Sequence, residues 1–113
     1  MILQYETRQI EPGVTVVALS GRMSLGTRLS DTEFYLQKLI EQGVRRLVLD
    51  LEELDHIDSA GLGVVAVTAG RMRDAGGELR VAGGSEQVQR IFQITHIGQV
   101  VALHSDVETA CKF

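Results

Sequence analysis

The chain has no tryptophan, a single proline and a single cysteine, and only 4% of its 113 residues are aromatic. Each shortage removes a class of protein. One thiol, Cys111, cannot close an internal disulfide, so the fold has to rest on a core; a reducing, cytoplasmic setting fits, and Cys111 reads as a small apolar residue. So few rings offer no platform on which bases could stack. Cations are also in deficit, 11 Lys and Arg against 15 Asp and Glu. The resulting negative charge repels a phosphate backbone and argues against nucleic acid as a partner. No apolar run is long enough to span a bilayer, and the opening "MILQYETRQIEPG" lacks the basic-then-apolar order of a secretory signal, so no membrane insertion is expected. With no low-complexity tract, nothing marks a linker, and residues 1–113 read as one domain.

What is present is an ordinary globular composition, 44% hydrophobic and 23% charged. Residues 2–9 read as a strand, "EPG" at 11–13 as a turn, and "VTVVALS" at 14–20 as a second strand ended by Gly21. Residues 24–42 carry Leu25, Leu29, Thr32, Leu36, Leu39 and Ile40 at helical spacing, with Gly43 as a stop signal and Phe34 on the opposite face. "RRLVLDLE" at 45–52 has apolar residues on both sides, the mark of a central parallel strand. A helix over about 59–75, a strand at 78–82, a helix capped by Ser85 with Val88, Ile91, Phe92 and Thr95 inward, and a strand at 99–103 follow. "SDVE" at 105–108 has the spacing of a capping box opening a short last helix. The order is β-β-α-β-α-β-α-β-α: an α/β domain with a mostly parallel mixed sheet of about five strands and an N-terminal hairpin.

The stretch "HIDSAGLGVVAV" at 56–67 places a serine and two glycines where a buried helix should begin. A helix cap, a cofactor loop and a modified serine all compete there. "GLGVVA" has the glycine spacing of a dinucleotide loop, but the next strand, "ELRVA", has its acid at the start and not at the end. A nucleophile elbow needs a glycine where Ile57 stands. His56 reads as a polar residue at a strand end, and His56, His96, His104 and Cys111 have no metal-ligand spacing. No base–nucleophile–oxyanion set is visible. An enzyme, a metal and a cofactor are therefore not expected. Asp58 is a good N-cap, but capping does not explain Gly61, Gly63 and Gly70, since each interior glycine costs about 1 kcal/mol relative to alanine. Leu62, Val65, Ala66, Ala69 and Met72 form one stripe, and Ala60, Gly63, Val67 and Gly70 form the opposite one. The second stripe is either a smooth docking face or a surface packed under another part of the chain.

The segment "LVLDLEELDHIDSAGLGVV", 47–65, resembles the signature of STAS domains, the anti-sigma factor antagonist family, and "GRMS", "GGELRVAG" and "VQRIFQITHIG" extend the likeness over nearly the whole chain. The resemblance implies a regulatory protein that binds an anti-sigma factor acting also as an ATP-using serine kinase. Phosphorylation of the serine that follows the motif aspartate, Ser59 here, would break the complex, and a serine phosphatase would restore it. Partner contacts would then come from Asp58, Ala60, Gly61, Gly63, Val67 and Gly70, with Arg22 and Ser24 from the "GRMS" segment. Two departures stand out: Ala60 replaces the second motif serine, and Arg22 and Ser24 replace acidic positions of the family's Gly-Glu-Leu-Asp. A stressosome-type scaffold and a STAS subunit of a lipid transporter are the alternatives.

Overall fold

The computed structural model describes residues 2–10, 13–26 and 28–113. Five strands form one sheet in the order β1-β2-β3-β4-β5: Gln4–Ile10, Val14–Met23, Arg46–Ile57, Glu78–Ala82 and Ala102–His104. β1 and β2 are an antiparallel hairpin, and every other neighbouring pair is parallel. Helices α1 (Leu29–Glu41), α2 (Ser59–Asp74), α3 (Glu86–Ile94) and α4 (Val107–Ala110) connect or follow the strands in the expected order. A short 3-10 turn, Ile97–Gln99, precedes β5.

The alternation within the strands decides where the helices go. Val17, Leu19, Leu47, Leu49, Leu51, Leu79 and Val81 point to one face and pack with Leu36 of α1, Val65 and Met72 of α2, and Phe92 of α3. Val14, Val16, Val48 and Ala82 point to the other face, where Ala110 of α4 completes a smaller cluster. The sheet is thus covered by three helices on one side and by a four-residue helix on the other. This is why β3 carries leucines on one side and valine on the other.

Several boundaries differ from the sequence reading. β2 does not end at Gly21 but runs to Met23, because β3 itself continues to Ile57 and pairs with it, Arg22 opposite His56 and Met23 opposite Ile57. Gly21 sits at a register shift with φ +90, and a Cβ there would lie 2.4 Å from the Ile2 carbonyl oxygen. The far half of β3, with exposed Glu52, Glu53 and Asp55, is too polar to announce a strand; only its pairing with β2 makes it one. α1 begins at Leu29 and not at residue 24, because Gly26 (φ +86) and Arg28 (φ +68) adopt left-handed conformations that a helix cannot continue through. At its other end Gly43 follows the cap and its N–H donates to the Ile40 carbonyl at 3.1 Å. In α3, Val88 and Phe92 are buried and Ile91 half-buried, but Thr95 is exposed, its hydroxyl donating to the Ile91 carbonyl at 2.6 Å. α4 is capped by Asp106, which accepts from the Thr109 N–H at 2.7 Å, and not by Ser105. β5 is Ala102–His104 and not residues 99–103: the 3-10 turn ends at Gln99, residues 100 and 101 turn the chain, and the strand then runs one residue further than expected. Of the turn at 11–13, Glu11 and Pro12 lie outside the described residues, and Gly13 has φ +69.

Candidate functional site

The site is built where the central strand hands over to α2. Asp58 is the N-cap of α2, with extended backbone, and its Oδ1 accepts from the Gly61 N–H at 2.9 Å. Its Oδ2 accepts from the Leu25 N–H at 3.2 Å, and its own N–H donates to the Met23 carbonyl at 3.2 Å. The residues after "GR" are therefore fastened to the start of α2 by one aspartate. The bond from the Gly61 N–H, above all, holds the Asp58 carboxyl below the usual aspartate value; desolvation opposes it and the bond from Leu25 adds to it. Ser59, the first residue of the helix, is exposed.

The helix then divides its small residues in two. Gly61 is buried: a Cβ on it would lie 2.1 Å from the Met23 carbonyl oxygen and 2.8 Å from Ile57 Cγ1. Its lack of a side chain leaves room for the carbonyl of the chain's own β2. Ala60 is half-buried and packs against the main core. Gly63 and Gly70 are different, since a Cβ at either position meets nothing within 4 Å among the described residues. With Val67, 43% exposed, they form an open track along α2 from Ser59 onward. Among the described residues, no packing contact accounts for glycine at 63 and 70. At the far end of the track, Arg71 reaches Glu33 of α1 at 3.8 Å.

Of the two residues expected from "GRMS", Arg22 is exposed and stands beside His56 in the sheet, whereas Ser24 is buried, 8% exposed. Its neighbour Leu25, placed on the buried face of a helix by its spacing, is instead 81% exposed. The signal for this was Gly26, which breaks the helical pattern immediately after it. Inward, Leu62, Val65, Ala69 and Met72 are buried as their spacing required, and Ala66 is half-buried. On α1, Phe34 is 64% exposed with the Lys38 ammonium 5.2 Å from its ring centre.

Among the described residues, no group of three or more His, Cys, Asp and Glu is placed to hold a metal ion. No helix among them is long and apolar enough to cross a membrane.

Comparison with known proteins speaks to the family and the fold. A family model described as the STAS domain matches residues 5–110. BtrV of Bordetella bronchiseptica, named as an anti-sigma factor antagonist, is 32% identical over 98 residues, covering 87% of this chain and 84% of that protein. In structure, an anti-sigma factor antagonist from Mycobacterium paratuberculosis superposes with a TM-score of 0.86 at 20% identity, covering 96% of this chain and 90% of that one. The Bacillus cell fate determinant SpoIIAA in its phosphorylated form superposes with a TM-score of 0.72 at 18% identity, covering 95% of this chain and 96% of that one. With the family model matching residues 5–110 and the fold shared with these structures, the chain belongs to the STAS domain family.

Proposed function

We propose that this protein is an anti-sigma factor antagonist that binds an anti-sigma factor through the open face of α2 and is released from it by phosphorylation of Ser59. The observation that carries this reading is the position of Ser59: exposed, at the first turn of a capped helix, on the rim of a track whose glycines no contact among the described residues requires. The name of BtrV and the existence of a phosphorylated SpoIIAA support it. The partner is an ATP-using serine kinase as well as an anti-sigma factor, and a serine phosphatase reverses the modification.

The physics of such a switch is local. A phosphoserine carries a charge of about −1.5 to −2. The free N–H groups at a helix start tolerate that charge, so the domain stays folded. A partner seated on the track has to desolvate the dianion beside Asp58, or meet it with its own acidic groups. A loss of about 3 kcal/mol lowers affinity more than a hundredfold. Gly63, Val67, Gly70 and the exposed Leu25 make the contact, with Arg22 and Asp58 at its rim. Titration of the purified anti-sigma factor with Ser59→Ala is expected to show wild-type affinity and no phosphate uptake, and titration with Ser59→Asp a loss of at least about tenfold. Wild-type affinity in Ser59→Asp rules the switch out.

A further inference from the structure

The sheet has two edges, and the chain protects only one of them. β5 is three residues long, and so short an edge offers another strand little to pair with. β1 runs for seven residues, Gln4–Ile10, and contains neither proline nor glycine. Among the described residues it has a sheet neighbour on one side only, and its pairing with β2 runs without a shift from Gln4–Ser20 to Ile10–Val14. The bulges that would twist an edge away lie instead between β2 and β3.

The side chains of β1 fix which partner suits it. Tyr5 stacks on Tyr35 of α1, with ring centres 4.1 Å apart, and the Thr7 hydroxyl is hydrogen-bonded to the Tyr35 hydroxyl. Strand alternation therefore puts Glu6 and Arg8, both exposed, on the opposite face. That face is self-complementary. Let a second copy of β1 run antiparallel about a twofold axis at Thr7, the midpoint of the strand. Glu6 of each copy then stands directly opposite Arg8 of the other, at a side-chain separation of about 4.5–5.5 Å. Moving the axis one residue either way sets Glu6 against Glu6, or Arg8 against Arg8. Charged side chains guard many edges, and like charges directly opposite repel; with one charge of each sign, this edge matches a copy of itself when the axis lies at Thr7.

We propose that β1 pairs with β1 of a second copy, antiparallel about Thr7, so that two five-stranded sheets become one continuous sheet. The interface is isologous, as a closed dimer requires. One strand a side is far less than the roughly 20–30 residues a side of a standard interface, so the dimer is weak and concentration-dependent. Ser59 follows β3, the middle strand of the sheet, and pairing at the β1 edge leaves it open. The proposal is thus independent of the switch.

Sedimentation equilibrium up to about 1 mM, where a small interface is populated, tests it. The wild type and the double exchange Glu6→Arg/Arg8→Glu are expected to dimerise. Glu6→Arg alone and Arg8→Glu alone are each expected to lose at least about tenfold in association, because two opposed pairs turn repulsive. Mixing the two single variants is expected to recover a mixed dimer, since the cationic edge of one now faces the anionic edge of the other. Amide exchange of the unmodified protein reads the same edge, with the amides of β1 slowing as concentration rises. A wild type that stays monomeric throughout, single variants that dimerise like the wild type, or a mixture that stays monomeric overturns the proposal.

Discussion

Asp58 joins two segments that lie far apart in the chain. Its carboxylate closes the first turn of α2 and also holds the Leu25 N–H, so its removal costs a cap and a tether together. Asp58→Ala is expected to lower stability by about 1 kcal/mol, within the 0.5–2 kcal/mol range of lost caps, as read from urea unfolding. The pH dependence has a definite sign. The folded protein holds this carboxyl below its ordinary value, so its contribution is complete above the unfolded aspartate value and is lost as pH falls through the lower folded one. The gap between wild type and Asp58→Ala is expected to be flat near neutrality and to close below about pH 4; a gap unchanged at pH 2 rules this account out. The cap was legible in the sequence because capping is a matter of a few neighbouring residues. The bond to Leu25 was not, because it depends on how far β2 and β3 run together, and the polar residues Glu52, Glu53 and Asp55 conceal that length.

The three glycines of α2 look alike in the sequence and differ in the fold. Gly61→Ala forces a methyl into the Met23 carbonyl, with no flexible side chain to yield, and is expected to destabilise by about 1–3 kcal/mol. Gly63→Ala and Gly70→Ala add a methyl to open space and gain helix propensity, so each is expected to stabilise by up to about 1 kcal/mol. If the track is the docking face, the same two substitutions weaken binding of the anti-sigma factor while raising the melting temperature. Raised stability with unchanged binding removes the track from the interface. Helical spacing told which residues share a face of α2; it could not tell what lies opposite each face, which depends on the path of β2. The start of α1 shows the same limit. The apolar spacing extended back to Leu25, and only the left-handed backbone at Gly26 and Arg28 separates that exposed residue from the helix.

At the scale of the whole domain, the element order, the mixed sheet and the central place of β3 were all legible, because hydrophobic period and turn residues are written densely along this chain. The unequal covering of the two faces was less so, since a four-residue helix leaves little pattern. Val48 and Leu49 are adjacent, fully buried, and face opposite clusters. Leu49→Ala is expected to cost about 3 kcal/mol and Val48→Ala about 2 kcal/mol. Both are expected to shift one urea transition without splitting it, with circular dichroism and tyrosine fluorescence coinciding, because both clusters hang on the same strands. Separate transitions for the two probes would mean that the faces unfold independently. The fastening of the "GRMS" segment to α2 has a further consequence. Leu25, Ser59 and the open glycine track become one surface only when β2 and β3 are aligned to their ends. A peptide copied from α2, or a chain partly digested, carries the same serine without its setting. If Ser59 is phosphorylated as proposed, a kinase that reads that setting would mark only finished molecules, and the signal would report the supply of folded antagonist, not merely of antagonist.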